Sequence, residues 1–251
     1  MQNEIYKREY TKEFVSRWDA LIGWDGRTEA ENGFFENLLK RHNCKKVADI
    51  ATGTGFHAIK LAGGGFEVTA TDGSANMVRK TEENAAAMDI ALADSRVAEW
   101  GELDQVFAPN SFDALVCLGN AFTHLFEEKA RRQSLDAMLK VLKPGGLAVI
   151  DHRNYDKILD QGYSSKHQFY YCGNGVDARP VKIQNDMVRF EYSYEDGNKF
   201  HLTMFPLRQH YMSKLLEDAG FSNIKRYGDF SPSFDGDEVD FIQQVAFKPR
   251  N

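Results

Sequence analysis

Cysteine is scarce in this chain. Cys44, Cys117 and Cys172 are the three among 251 residues, far apart and odd in number. They make neither a disulfide framework nor a zinc-ligand spacing. The expectation is a reducing, cytoplasmic setting, with each thiol a small buried hydrophobe. Long apolar runs are also missing. None approaches the roughly 20 residues that a membrane-crossing helix needs, so no membrane partner is expected. The opening MQNEIYKREYTKEF is charged throughout and does not read as a signal peptide. There is no basic stripe either: 31 Lys and Arg are scattered among 37 Asp and Glu, for a net charge of −6. Nothing here draws a phosphate backbone, which argues against nucleic acid as a main partner. Internal repeats and low-complexity segments are lacking.

What is present is an ordinary globular composition, 42% hydrophobic and 27% charged. The length suits one large domain or one domain with a substantial insertion. The most informative stretch is 46–72, KVADIATGTGFHAIKLAGGGFEVTATD. An apolar run, Val47 to Ala51, contains Asp49 and leads to the turn Gly53-Thr54-Gly55. A helical segment and a glycine patch at 63–65 follow, and a second apolar run ends at Asp72. Strand, tight turn, helix, strand and carboxylate in that order are how a parallel α/β sheet binds an adenosine-containing ligand.

The remaining pattern extends that reading. Helical spacing over 11–41 predicts helices interrupted at Gly23 to Gly26. Ser74 is placed to cap a helix running to Met88. Strands are predicted near 95–98, 112–118 and 147–151, with a helix over 127–142 that Lys143-Pro144-Gly145-Gly146 stops. Beyond 151 the rhythm changes. Residues 167–206 are rich in alternating aromatics, and Asp196-Gly197 between two such runs marks a hairpin. A helix over 207–219 ends at Gly220, and strands near 223–228 and 239–247 close the chain. The expected fold class is α/β. It is a Rossmann-like, mostly parallel seven-stranded sheet with a small antiparallel insertion after strand five. The expected divisions are a helical cap (1–45), a cofactor-binding core (46–152), a substrate-binding insertion (153–206) and a segment completing the sheet (207–251).

The pattern Gly53-x-Gly55-x-x-Ala58 also fits a nicotinamide or flavin enzyme. Three neighbours favour S-adenosyl-L-methionine. Asp49 just before the turn would repel a pyrophosphate but suit a ligand carrying an ammonium and a sulfonium. Lys-Pro-Gly-Gly before a short apolar strand and an acid is typical of methyltransferase folds. The change of rhythm after strand five leaves room for substrate-binding elements.

The segments LVCLGNAFTHLF (115–126) and VLKPGGLAVIDHRNYDKIL (141–159) resemble the glycine N-methyltransferase family, including its glycine/sarcosine N-methyltransferases. The run Asp151 to Asp156, DHRNYD, carries the resemblance most specifically. Leu118-Gly119-Asn120 with His124, and Tyr227-Gly228-Asp229-Phe230, add to it. It spans Trp18 to the C-terminus.

The resemblance implies methyl transfer from S-adenosyl-L-methionine, leaving S-adenosyl-L-homocysteine, with no metal. The acceptor would be a small amino acid: glycine to sarcosine, and sarcosine to N,N-dimethylglycine, a step toward the osmoprotectant betaine. The alternative is a sarcosine/dimethylglycine N-methyltransferase that completes betaine. Arg153 would grip the substrate carboxylate bidentately, with Asn120 as a second partner and Tyr171 and Tyr192 lining the amine. For the cofactor, Arg27 would take the methionine carboxylate, and Tyr10, Trp18 and His124 would close over that end. Ala51, Gly53 and Gly55 would present backbone, Asp72 the ribose acceptor, Met77, Glu99 and Trp100 the adenine site, and Leu118 a floor. Met204-Phe205-Pro206 departs from the animal pattern, which has a tyrosine pair before the proline. The short segment before Trp18 leads to an expectation of a monomer or homodimer. A nucleic-acid amino-methyltransferase would place Asn-Pro-Pro-Tyr or a relative where Gly119-Asn120-Ala121-Phe122 stands. Against a non-catalytic cofactor sensor stand Arg153 and the tyrosines.

Overall fold

A computed structural model describes residues 5–166, 172–173 and 175–250. Its main sheet holds β1 (Lys46–Asp49), β2 (Glu67–Asp72), β3 (Asp94–Val97), β4 (Phe112–Cys117), β5 (Leu142–Arg153), β9 (Ser222–Gly228) and β10 (Phe241–Phe247). Between β5 and β9 the chain builds a separate sheet of β6 (Val176–Gln184), β7 (Met187–Tyr194) and β8 (Lys199–Met204). The main order is β3-β2-β1-β4-β5-β10-β9. Its first five strands run parallel, and β10 lies antiparallel to both β5 and β9. The expected mostly parallel seven-stranded sheet and antiparallel insertion are therefore both present. Asp196 and Gly197 sit in the β7–β8 turn, with Gly197 at φ 86°.

Burial explains why these runs become parallel strands. Residues 147–153 of β5 are all buried, as expected for a strand covered on both faces. On one face, α5 (Phe34–Arg41) and α6 (Phe56–Gly63) pack Phe35, Leu38, Leu39, Ala58 and Leu61 against Val47, Val68, Val116 and Val149. On the other, α9 (Glu128–Val141) and α11 (Gln209–Asp218) pack Leu135, Met138, Leu215 and Leu216 against Ile50, Leu115 and Ile150. The remaining helices of the core are α7 (Ala75–Ala87), α8 (Leu103–Val106) and α10 (Tyr155–Asp160). Among the described residues no helix is long and apolar enough to cross a membrane.

Three local expectations need correction. The segment before β1 is five short helices: α1 (Ile5–Glu9), α2 (Lys12–Ser16), α3 (Trp18–Ile22), α4 (Trp24–Glu31) and α5. The interruption predicted over Gly23 to Gly26 is Gly23 alone, and Gly26 lies inside α4. Gly23 is left-handed at φ 57°, and a Cβ there would come 2.5 Å from the Cα of Gly173. Two backbones touch at that point, which only glycine permits. Second, Ser74 stands at the start of α7 without a side-chain capping bond; its N–H instead reaches Asp72 Oδ1 at 2.9 Å. Third, Lys143 to Gly146 stop α9 but do not separate it from β5. Leu142 already pairs with Phe112, and pairing resumes at Leu147 with Ala114 across an irregularity.

A third apolar cluster joins the cap to the small sheet. Phe14 is fully buried and stacks on Phe200 with centroids 4.6 Å apart and planes 7° from parallel. Ile22, Tyr155, Phe190, Leu202 and Phe241 belong to the same cluster. The cap and the insertion thus roof the C-terminal ends of the main strands.

Candidate active site

The chain leaves β1 toward β2 on one side and later crosses to β4 on the other, so direction reverses between β1 and β4. The loops there diverge at the carboxyl ends of the strands, where open α/β sheets bind ligands. A pocket opens at this point and encloses about 1010 Å³, its mouth included. The residues after β1 (Ala51, Thr52, Gly53) and after β4 (Leu118, Gly119, Asn120) form its floor.

Strand order gives the pocket a charge polarity. Asp72 ends β2 and Glu99 follows β3; Asn120 follows β4 and Arg153 ends β5. Neighbouring strands lie about 4.8 Å apart, so the carboxylate side and the guanidinium side are about 14 Å apart across three strand spacings.

On the acidic side, Asp72 Oδ2 accepts the Gly53 N–H at 3.0 Å and Oδ1 the Ser74 N–H at 2.9 Å. The glycine turn is therefore tied to the end of β2. Burial pushes the Asp72 carboxyl up to about 7, against the pull of those two N–H groups. A carboxylate has about four acceptor sites, so two remain for hydroxyl groups. Gly53 has φ 57°, and a Cβ there would sit 3.4 Å from Trp18 Nε1. Trp100 donates its indole N–H to the Ile50 carbonyl at 2.6 Å, which fixes the ring in the pocket wall. Met77 is buried beside them, and Glu99 accepts from Tyr6 and pairs with Lys7 at 2.9 Å.

On the basic side, Arg153 is 3% exposed, and its guanidinium carbon lies 4.5 Å from the Phe190 ring centroid. Rings shield it from water, which strengthens its field in the pocket. Its backbone N–H donates to Asn120 Oδ1 at 3.0 Å. Asn120 is itself left-handed at φ 65°, and its N–H reaches Asp151 Oδ1 at 2.8 Å. Asn120 Nδ2 contacts the Tyr155 hydroxyl at 2.9 Å and Met204 Sδ at 3.2 Å. A thioether is a weak acceptor, so the N–H facing Met204 is the one a carboxylate could take. Burial pushes the Tyr192 phenol well up, so the ring carries a neutral hydroxyl.

Over the top, Tyr10 and His124 share a hydrogen bond of 3.0 Å between the hydroxyl and Nε2. Burial lowers His124 to about 4, so it is neutral near pH 7. Arg27 is 4% exposed and lines the pocket from α4.

Of the residues singled out from sequence, Tyr10, Trp18, Arg27, Ala51, Gly53, Asp72, Met77, Glu99, Trp100, Leu118, Asn120, His124, Arg153 and Tyr192 line this pocket. Gly55 does not line it; at φ 98° it starts α6, and a Cβ there would press on Thr81 Cγ2 at 2.9 Å. Tyr171 lies outside the described residues. Asp49 is buried beneath the pocket wall, where it accepts the Ala51 N–H at 3.2 Å. Sequence reading missed Tyr6, Phe56, His57 and Leu202 as lining residues.

The donor set fits an S-adenosyl compound: a buried acid with two open acceptor sites at one end, and guanidinium groups toward the other. Comparison with known proteins agrees. A methyltransferase domain matches residues 47–146. The chain is 45% identical to the glycine/sarcosine N-methyltransferase of Aphanothece halophytica, over 98% of this chain and 92% of that protein. It is 43% identical to the enzyme of the same name from Halorhodospira halochloris, over 97% and 90%. Its fold is similar to that of an S-adenosylmethionine-dependent methyltransferase from Clostridium acetobutylicum, with a TM-score of 0.71 and 16% identity over 94% of this chain and 98% of that one. Fold, pocket and full-length identity together place the chain in the glycine/sarcosine N-methyltransferase family of S-adenosylmethionine-dependent enzymes.

Proposed function

We propose that the protein methylates the nitrogen of glycine and then of sarcosine, forming sarcosine and N,N-dimethylglycine, one methyl short of glycine betaine. The observation that carries this reading is the polarised pocket, with Asp72 on one side and the buried Arg153 on the other. When bound, S-adenosyl-L-methionine supplies a methyl group on a sulfonium, open to attack by an uncharged amine.

The chain's own part is binding, orientation and exclusion of water. Asp72 accepts the two ribose hydroxyls. Met77, Trp100 and Glu99 form the adenine wall, and Ala51, Gly53 and Leu118 the floor. Arg27, Trp18, Tyr10 and His124 enclose the amino-acid end of the cofactor. Arg153, with Asn120, holds the substrate carboxylate, so the amine end of so small a molecule can point in only a few directions. Tyr192 faces the amine with a neutral oxygen, which suits the positive charge that moves from sulfur to nitrogen. The neutral His124 adds no positive charge at the cofactor's amino-acid end.

The test is a product time course by mass spectrometry, starting from glycine and S-adenosyl-L-methionine. Sarcosine is expected to rise first and N,N-dimethylglycine to follow from it. Turnover of dimethylglycine with none of glycine or sarcosine would replace this reading with that of an enzyme completing betaine.

A further inference from the structure

Behind the pocket wall lies a buried carboxylate that no role above uses. Glu31 closes α4, one turn after Arg27, and its side chain is fully buried. Three nitrogen-bearing side chains converge on its carboxylate. His57 Nε2 is 2.7 Å from Oε1, Lys60 Nζ is 3.1 Å from Oε2, and Arg27 Nε is 3.4 Å from Oε1. Although burial opposes ionisation, His57, Arg27 and Lys60 hold the carboxyl down to about 2.

The geometry gives this cluster a direction. The Nε edge of Arg27 faces Glu31, and the guanidinium lies over the Phe56 ring at 5.3 Å. Its Nη2 lies 3.7 Å from where a Cβ on Gly119 would stand, at the pocket floor. His57 and Lys60 belong to α6, the helix that follows the glycine turn. Glu31 therefore links the helix that carries Arg27 to the helix that follows the cofactor cradle. The cap and the core meet at this seam, and a long, flexible arginine gains a set position only from contacts of this kind.

We propose that Glu31 is a positioning residue for the cofactor: it sets the Arg27 guanidinium so that its outer nitrogens meet the amino-acid end of S-adenosyl-L-methionine, and so makes the pocket discriminate against adenosine compounds lacking that end. This rests on the assignment of Arg27 to the cofactor's carboxylate given above.

Titration calorimetry with S-adenosyl-L-homocysteine and with 5′-methylthioadenosine, which lacks the amino-acid part, tests it. Glu31→Gln is expected to weaken S-adenosyl-L-homocysteine about tenfold or more while leaving 5′-methylthioadenosine within about twofold. Combined with Arg27→Ala, it should add no further loss, since both act through one group. Equal weakening of both ligands by Glu31→Gln, unchanged S-adenosyl-L-homocysteine binding, or additive losses would overturn the proposal. Should Glu31→Gln fail to fold, Glu31→Asp keeps the charge but shortens the arm. It is expected to show the same selective loss in smaller measure, and unselective or absent loss there overturns the proposal equally. Arg27→Ala separates the two ideas. If it weakens both ligands alike, the assignment of Arg27 fails; if it is selective and Glu31→Gln is silent, only the inference about Glu31 fails.

Discussion

Arg153→Ala is expected to lower kcat/KM for sarcosine by about 10²–10⁴-fold while S-adenosyl-L-homocysteine binds within about twofold of the wild type. The magnitude follows from two charge-assisted hydrogen bonds of about 1.5–3 kcal/mol each, with every 1.4 kcal/mol worth a factor of ten. The lower end applies where water replaces part of the contact. Here Phe190, Tyr163 and Phe241 lie within 6.0 Å of the guanidinium, which limits that replacement. Sparing of the cofactor follows from strand order, since Arg153 ends β5 while Asp72 ends β2. Arg153→Lys keeps the charge but loses the planar fork, and its loss should fall between wild type and Arg153→Ala. Steady-state kinetics with each substrate varied, together with calorimetry, checks all three expectations. Equal loss of cofactor affinity in Arg153→Ala would mean that the residue supports the fold of the pocket rather than the substrate.

The second large effect belongs to Asp72. Asp72→Asn is expected to weaken S-adenosyl-L-homocysteine by about 10²–10⁴-fold, because an amide cannot accept both ribose hydroxyls as a carboxylate does. A pH dependence goes with it. Burial raises the Asp72 carboxyl to about 7, so below that pH the acid is protonated in the free protein. With the proposed ribose grip, which uses the ionised form, binding releases a proton there. Affinity should therefore rise with pH up to about 7, by about tenfold per unit well below it, and level off above it. Asp72→Asn should show no such slope. Calorimetry in buffers of different ionisation enthalpy measures the released proton directly. Flat affinity across pH 5–8 in the wild type would show that Asp72 does not titrate on binding.

Why some of this was legible in sequence and some was not is a matter of contact range. The turn from Asp49 to Gly55 and the carboxylate ending β2 are local patterns, since backbone conformation and strand ends are written in nearby residues. Asn120 and Arg153 also stand at strand ends, but the family resemblance of DHRNYD and LGN, not the local pattern, singles them out. The residues missed are those brought in by the roof. Tyr6 lies in a charged segment without apolar periodicity, and it lines the pocket because α1 packs on β8 through Glu9, which accepts the Thr203 N–H at 2.7 Å. Phe56 and His57 read as the first turn of an ordinary helix. Leu202 reads as one more alternating strand residue. Glu31 sits four residues after Arg27, a spacing that usually marks an exposed helical pair; only the packing of α4 on α6 shows it to be buried. Gly26 misled in the opposite way, since a glycine within a helix costs only about 1 kcal/mol and the breaks on either side of α4 fall where the backbone is left-handed, at Gly23 and at Asn32-Gly33.

Substrate grip is what the whole account turns on, and a crystal structure of the protein with S-adenosyl-L-homocysteine and sarcosine examines it most directly. The expected density places the sarcosine carboxylate on the Arg153 guanidinium, with the ribose hydroxyls on Asp72 and the amine directed at the homocysteine sulfur. Sarcosine bound with its carboxylate away from Arg153, or a ribose that does not touch Asp72, would contradict it.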